Sequence, residues 1–323
     1  MTKILAYRFS AFGDVAMTAP VFREFLEQNP DVQLVMVSRS NFAALFHGIP
    51  NFTFHGIEVD QYKGFMGMRR LASELITAYR PDFVADLHDV IRTKILDRIL
   101  KLRGYSVFKI NKGKEEKERL TDVWNLDKIQ LRKTSERYAD VFRAMGFPLT
   151  LSHQLRPLST VKSGLGFAPF AQHQGKMLPL ETSFQVARVL AQTHKIYFFG
   201  GGQTETEILN DWESKIPNTE SLTGKLSLRD ELEKIAGLEL MISMDSANMH
   251  LASLVGTRCI SIWGATHPFA GFLGYGQSEQ DVVQVEDLTC RPCSVFGDKP
   301  CFRGDWACLQ EQKIADIIKK VVI

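Results

Sequence analysis

The chain lacks any long apolar run. No segment approaches the roughly 20 apolar residues that a bilayer-spanning helix needs. The opening MTKILAYRFSAFGD places one lysine and one arginine around a short apolar strand, where a signal peptide would have a longer apolar core. These absences argue against a membrane-spanning or secreted protein and predict an address in the cytoplasm.

The chain also lacks a marked excess of positive or negative charge. Lysine and arginine number 39 and aspartate and glutamate 37, so the formal net charge is only +2 at pH 7. Long-range attraction to nucleic acid needs a marked excess of positive charge, and no nucleic-acid partner is therefore expected. The GxGxxG fingerprint is also absent from the first turn, which reads RFSAFGD, so NAD binding loses its main support.

What the chain does have is a regular alternation of β-like apolar runs and helical patterns. With 323 residues, 45% of them hydrophobic, it is long enough for two ordinary domains. Strands are predicted at 4–8, 33–37, 83–86, 164–168, 196–199, 240–243 and 259–263. This alternation predicts an α/β protein with parallel, doubly wound sheets. Because the strand, loop and helix order restarts near residue 160, we expect two Rossmann-like domains, 1–158 and 159–323, with the last helix packing back on the first domain.

An acidic residue follows the first predicted strand. Gly13 makes a tight turn there, and a helix is predicted to start near Asp14. Two interpretations of Asp14 stand side by side at this point. It caps the helix, as aspartate commonly does, or it takes a proton from an incoming hydroxyl.

Polar loops in the second half suit a phosphate. Lys176 lies in such a loop after one strand, and three glycines after the next strand, with Glu205 close behind, let backbone approach a ligand. The alternatives are a solvated lysine and a flexible loop.

The stretch ELMISMDSANMHLASLVGT predicts a strand, a turn at Asp245 and Ser246, and a helix. Amides at the helix start would hold a phosphate, with His250 as a further donor, while Asp245 accepts hydrogen bonds from sugar hydroxyls. A phosphate beside a polyol describes a nucleotide sugar. The alternatives are a helix cap and a histidine that is satisfied within the helix.

Four of the five cysteines are clustered as Cys290-x2-Cys293-x7-Cys301-x6-Cys308. In a cytoplasmic protein this clustering suggests a structural metal site, with zinc as the metal, although the second pair lacks the short CxxC spacing. Reduced thiols and a redox-sensitive pair are the alternatives.

Four segments together resemble the heptosyltransferases of glycosyltransferase family 9: RFSAFGDVAMTAPVFREF, DFVADLHDVIRTKIL, SMDSANMHLASLVGTRCISIWGATHP and CRPCSVFGDKPCFRGDWACL. The resemblance implies a GT-B fold, with two Rossmann-like domains facing a cleft. It further implies inverting, metal-independent transfer of heptose from ADP-heptose to the inner core of lipopolysaccharide. The DxD triplet typical of metal-dependent transferases is absent.

The resemblance also implies roles for particular residues. The general base of the family's SxxGD motif falls on Asp14, and no cofactor is expected for catalysis. The predicted donor-binding residues are Lys176, Glu205, Asp245, Ser246, Ala247 and His250, with Ala247 standing where the family often has glycine. The predicted acceptor-binding residues are Arg8, Ser10, His88 and Arg92.

The expected partners are an ADP-sugar and an anionic acceptor of the lipid A/Kdo type, with peripheral contact to the inner leaflet of the inner membrane. Two other functions stay open at this point. One is a family member that uses another nucleotide sugar. The other is a non-catalytic binding module with a metal site in its cysteine cluster.

Overall fold

The computed structural model describes residues 1–159 and 161–321, and Thr160, Val322 and Ile323 lie outside the described residues. The strands are β1 (Thr2–Tyr7), β2 (Val32–Arg39), β3 (Phe52–Ile57), β4 (Phe83–Asp86), β5 (Ser106–Lys109), β6 (Leu165–Ala168), β7 (Ile196–Phe198), β8 (Thr219–Ser221), β9 (Leu240–Met244), β10 (Cys259–Ile262) and β11 (Val282–Val283).

The α-helices are α1 (Phe12–Ala16), α2 (Thr18–Gln28), α3 (Gly64–Tyr79), α4 (Ile91–Leu102), α5 (Lys114–Leu120), α6 (Thr134–Ala144), α7 (Leu180–Leu190), α8 (Gln203–Lys215), α9 (Leu228–Ala236), α10 (Ala247–Leu254), α11 (Ala307–Gln310) and α12 (Ile314–Val321). Short 3-10 helices cover Ser40–Phe46, Val59–Tyr62, Gln174–Lys176, Pro268–Ala270 and Glu279–Asp281.

The first compact unit contains Met1–Lys112 and Thr134–Ser152. Its five strands form a parallel sheet in the order β3-β2-β1-β4-β5. Strand β1 lies at the centre, and its residues from Ile4 to Tyr7 are fully buried, as expected for a parallel strand covered on both faces. Helices α3 and α4 cover one face, where Leu71, Leu75 and Leu96 join the apolar cluster around Leu5 and Val84.

The second compact unit contains Gly113–Lys133 and His153–Ile323. Its sheet is also parallel, in the order β11-β10-β9-β6-β7-β8, with β9 and β6 at the centre. The segment Gly113–Lys133, expected in the first domain, belongs to this unit, where Leu120 and Leu131 pack around Ala270. Helix α12, expected against the first domain, buries Ile317 in the core of the second unit.

The α/β fold class and the parallel, doubly wound sheets are confirmed by these two units. Each apolar run that was predicted as a strand forms one, within a residue or two at its ends. Strands β3, β5, β8 and β11 were not predicted. Within the described residues, no helix combines the length and the apolar character needed to cross a membrane.

Candidate active site

A buried arginine holds Asp14 at the end of β1. Arg8 directly follows the strand, and its Nη2 lies 2.6 Å from Oδ2 of Asp14, which stands in the first turn of α1. The same oxygen accepts a longer hydrogen bond, 3.4 Å, from the Ala11 N–H. Both interpretations of Asp14 therefore have a structural basis, but the ion pair is the closer contact. The guanidinium stabilises the anionic form of the carboxyl group, which is the form a general base needs.

Two further contacts hold the guanidinium of Arg8 in place. Its Nη1 donates to the Leu87 carbonyl at 2.6 Å, and its guanidinium lies over the ring of Tyr138, 5.6 Å from the centroid. The Tyr138 hydroxyl donates to the Asp14 carbonyl at 3.3 Å. Burial raises the pKa of Tyr138 well above its usual range, so this hydroxyl acts as a donor. Arg8, predicted to bind the acceptor, is thus brought against Asp14.

His88 and Ser10 come together beside this ion pair. The Phe9 N–H donates to Nδ1 of His88 at 3.4 Å, which leaves the ring proton on Nε2, 3.2 Å from the Ser10 hydroxyl oxygen. Burial lowers the pKa of His88 to about 3, and the charges of Arg8 and Lys112 add to the effect. The neutral imidazole can therefore donate to Ser10, whose own hydroxyl proton is then directed elsewhere.

Arg92 lies half-buried in the first turn of α4, and its positive charge also acts on His88. Asp86, in the same DLHD segment as His88, is fully buried and accepts the N–H groups of His88 and Asp89 at 2.8 and 2.9 Å. Its role is thus to hold a turn. No motif in the sequence pointed to Asp97, which lies in α4 and acts on Asp86.

In the second unit, the two residues expected to bind the donor form an ion pair with each other. Nζ of Lys176 lies 2.8 Å from Oδ2 of Asp245, which stands at the end of β9. Asp245 is also fixed through its backbone, since its N–H donates to the Ile262 carbonyl at 3.0 Å. A carboxylate beside a phosphate would repel it, and here that charge is neutralised by the lysine.

The Lys176 loop is held from two sides by close backbone contacts. The Gly175 N–H donates to the Gly297 carbonyl, and the Gly175 carbonyl accepts from Ala265. A methyl group on Gly175 would lie 2.7 Å from the Gly297 oxygen, and one on Gly297 would lie 2.6 Å from Cγ of Lys176. The segment that carries the cysteines therefore positions the lysine, which the sequence analysis did not foresee.

Helix α10 begins beside the ion pair. Ser246 is its N-cap, yet the serine side chain makes no capping hydrogen bond and instead lies 3.1 Å from the Ser243 hydroxyl. The capping interpretation of Ser246 is therefore wrong. Ala247 is the first helical residue, and His250 is buried one turn further on. The first amides of a helix that lacks a side-chain cap suit an anion.

Glu205 has a local partner in the glycine-rich loop. Its Oε2 accepts a hydrogen bond of 2.7 Å from the Gly201 N–H at the start of α8. The structure therefore gives Glu205 a part in shaping this loop, and the donor contact predicted for it stays a prediction.

The four clustered cysteines are free thiols, and Cys293 and Cys308 pack in the same apolar cluster around Ala265. Cys301 accepts a hydrogen bond from the Trp306 N–H, and Cys308 is buried near Ala265 and Leu309. Burial raises the pKa of Cys308 to about 12 and also raises that of Cys293, so both are protonated thiols near neutral pH when no metal is bound. Among the described residues, no three His, Cys, Asp or Glu side chains are placed to hold a metal ion. The zinc site predicted at the four cysteines therefore stays a prediction.

Comparison with known proteins identifies the family to which the chain belongs. Residues 98–299 match the model of glycosyltransferase family 9 (heptosyltransferase). Among curated proteins, the chain is similar to lipooligosaccharide heptosyltransferase 2 of Campylobacter jejuni, with 25% identity over 330 residues. That alignment covers 99% of this chain and 98% of the relative.

Solved structures share the fold. A glycosyltransferase of family 9 from Veillonella parvula superposes with a TM-score of 0.74 at 17% identity, covering 99% of this chain and 96% of the other. The E. coli heptosyltransferase WaaC, solved with ADP-2-deoxy-2-fluoro heptose, gives a TM-score of 0.69 at 16% identity, with 99% of both chains covered.

Proposed function

This chain belongs to glycosyltransferase family 9, and from that premise we propose that it transfers a heptose from ADP-heptose to the inner core of a lipopolysaccharide or lipooligosaccharide acceptor. Family membership decides between the two classes that the sequence left open, since it makes the chain a glycosyltransferase and not a binding module. The name of the Campylobacter jejuni relative supports the acceptor class, and the ligand of WaaC supports the donor.

The donor diphosphate binds, in this proposal, at Lys176 and the first turn of α10. Lys176 has three N–H donors, and its contact with Asp245 uses one of them. The uncapped amides at Ala247 and its neighbours add the positive end of the helix dipole. The departing diphosphate is thereby neutralised by groups that are already in place.

Asp14 acts as the general base. It accepts the proton of the acceptor hydroxyl while that oxygen attacks the anomeric carbon, and the bond to the diphosphate breaks. Direct displacement by an external hydroxyl, with one carboxylate as base and no covalent intermediate, inverts the anomeric centre. In this mechanism the charge on the leaving group is carried by Lys176 and α10, so no metal ion is assigned a step.

The acceptor meets a positively charged rim in the first unit. Ser10, just after β1, and Arg92, in the first turn of α4, are both half-buried, and the positive charge of Arg92 acts on the neutral His88. An anionic saccharide of the Kdo type would be matched by Arg92 and by the donor hydroxyl of Ser10. Because such an acceptor is attached to lipid, we place the enzyme in the cytoplasm, with peripheral contact to the inner face of the inner membrane.

The single observation that carries the proposal is the contact of Lys176 with Asp245 at the start of an uncapped helix in a family 9 chain. The test is to incubate the protein with ADP-heptose and a deacylated inner-core acceptor, and to follow ADP release together with the mass of the product. A mass gain of one heptose is expected. Melting temperatures measured with ADP-heptose, ADP-glucose and UDP-glucose show which of these donors binds. A ligand that binds the folded protein and not the unfolded chain raises the melting temperature. If UDP-glucose alone stabilised the protein, ADP-heptose would not be the donor and the proposal would be wrong on this point.

A further inference from the structure

Two buried carboxyl groups meet beneath the turn that carries His88. Asp86 is fully buried, and its Oδ1 accepts the two backbone N–H groups of the turn, from His88 and Asp89. Its Oδ2 is buried and accepts no hydrogen bond from any N–H or hydroxyl group in the part of the chain that the structure describes. The carboxyl group of Asp97, from α4, lies within hydrogen-bonding reach of Asp86.

The third member of the cluster is a tyrosine from the central strand. The Tyr7 hydroxyl donates a hydrogen bond to Oδ1 of Asp97. Two ionised carboxylates cannot hydrogen-bond to each other, so Oδ2 of Asp86 is satisfied only when Asp97 carries a proton. The geometry thus defines one well-matched state: Tyr7 donates to Asp97, and Asp97 donates to Asp86.

The surroundings favour that state near neutral pH. Burial raises the pKa of Asp97 to about 7, the negative charge of Asp86 adds to the effect, and the hydrogen bond from Tyr7 and the charge of Lys101 oppose it. Besides Lys101, the charged groups that share a pocket of ≈ 430 Å³ with Asp97 are Lys94 and Arg98 of α4 and Lys109 of β5.

Helix α3 also packs against α4, and it contributes apolar side chains such as Leu71 and Leu75 to the same cluster. The groups that act on the Asp97 proton therefore come from β1, β4, β5 and α4 itself.

We propose that Asp97 is a positioning residue, which as a neutral acid donates its proton to Asp86 and so fixes the His88 turn for binding the acceptor. Its effect on turnover rests on the proposed function, since His88 and Ser10 are assigned to the acceptor only there. When the proton is lost, two carboxylates face each other in a buried site, and Asp86 can no longer hold the turn in one place. The hydrogen bonds of His88 to Phe9 and Ser10 then loosen.

The test compares Asp97→Asn with Asp97→Ala and the wild type. Asparagine keeps an N–H donor for Asp86 and an oxygen acceptor for Tyr7, and it cannot ionise, so it mimics the neutral acid at every pH. If one proton with a pKa near 7 is required, wild-type kcat/KM for the acceptor falls about tenfold between pH 6 and pH 8. The ratio of Asp97→Asn to wild type should therefore rise about tenfold over that range. Asp97→Ala should be impaired at both pH values.

The second readout is the pH dependence of the melting temperature, measured without any substrate. The native state keeps this proton to higher pH than the unfolded chain, so the wild type loses stability as pH rises from about 4 to about 7. Asp97→Asn lacks that loss. The melting temperature of Asp97→Asn should therefore rise relative to that of the wild type as the pH increases from about 4 to about 7. This readout decides the proposal even if Asp97→Ala does not fold.

Glu231→Gln is the matched control. Burial also raises the pKa of Glu231, in α9, so this variant alters a comparable carboxyl group that belongs to the second unit, whereas His88 belongs to the first. Its kcat/KM profile should follow that of the wild type. Parallel pH profiles of Asp97→Asn and wild type, in stability and in kcat/KM, would overturn the proposal. Absence of transfer in all variants would overturn the proposed function alone, because the stability titration would still test the carboxyl pair.

Discussion

Each unit places one cation and one carboxylate in contact at the end of a central strand, but the two pairs are built in opposite senses. In the first unit the arginine is the buried partner, since the side chain of Arg8 is 7% exposed and that of Asp14 is 21% exposed. In the second unit the carboxylate is buried, with Asp245 at 5% and Lys176 at 16%. In the first pair the more exposed partner is therefore the carboxylate of Asp14, and in the second pair it is the ammonium group of Lys176.

Under the proposed function, the two arrangements suit two different chemical tasks. A base that takes a proton must be an anion within reach of the acceptor, and a group that binds a diphosphate must be a cation within reach of the donor. In each pair the buried partner neutralises the reactive charge and fixes its position, which reduces the cost of reorganisation during the reaction.

The largest expected effect comes from breaking the first pair. Asp14→Asn keeps the shape of the side chain and removes the basic carboxylate, so turnover should fall by roughly 10²- to 10⁴-fold. Because Arg8 loses its charged partner, the free energy of unfolding should also fall, by about 1–3 kcal/mol. Turnover is followed by ADP release, and stability by chemical denaturation. Turnover like that of the wild type would show that Asp14 is only a helix cap.

Breaking the second pair should act on donor affinity first. Lys176→Met removes a charged donor to the diphosphate, which weakens ADP binding by about 1.4–2.8 kcal/mol, or roughly 10- to 100-fold. It also leaves Asp245 as an unpaired buried charge, at a cost in stability of about 3 kcal/mol. The double variant Lys176→Met/Asp245→Asn should regain much of the stability but not the affinity. If the double variant also regained the affinity, the lysine would not contact the donor.

A smaller effect is expected from a substitution at Gly297, which packs against Lys176 of the second pair. In Gly297→Ala the new methyl group would lie 2.6 Å from Cγ of Lys176, so the lysine must shift. ADP affinity should fall by about 1 kcal/mol, roughly fivefold. Gly304→Ala is the matched control, because Gly304 has a similar positive φ, +81° against +76°, and no atom within 4 Å of the added carbon. Equal losses in both variants would assign the effect to backbone strain.

The smallest effect concerns His88, which lies beside the first pair. Because its folded pKa is lowered to about 3, the unfolded chain binds its proton first, and the wild type loses stability as pH falls below about 6.5. Between pH 7.5 and 6 the wild type should lose about 0.8 kcal/mol of stability through this histidine, and His88→Asn should not show that loss. Burial also lowers the pKa of His267, to about 4, so proton NMR of the wild type should show two imidazoles that do not titrate down to pH 5, and His88→Asn should lack one of them. Titration of every histidine between pH 6 and 7 would contradict the neutral, buried state.

The fold could be predicted from the local pattern of apolar and polar residues, whereas the ion pairs Arg8–Asp14 and Lys176–Asp245 could not. Strands such as β1 and β9 are continuous apolar runs, and Asp14 and Asp245 directly follow strands, so their places at strand ends could be derived from the sequence. Strand β5, SVFK, was missed because it is short and half-exposed, and β3, FTFHGI, because polar residues and a glycine interrupt it.

The partners of these aspartates depend on tertiary structure. Lys176 and Asp245 come from different loops, and no spacing rule connects them. Asp97 was overlooked because it stands in a helix rich in lysine and arginine, where an acid suggests a solvated ion pair, whereas the structure buries it against Tyr7. The contact of Gly297 with Lys176 likewise follows from chain packing.

The division of tasks between the two pairs is tested most directly by calorimetric titration of ADP into the wild type, Asp14→Asn and Lys176→Met under the same conditions. The account predicts that Asp14→Asn binds ADP as the wild type does, and that Lys176→Met binds it roughly 10- to 100-fold more weakly. Equal weakening in both variants, or unchanged affinity in Lys176→Met, would contradict it.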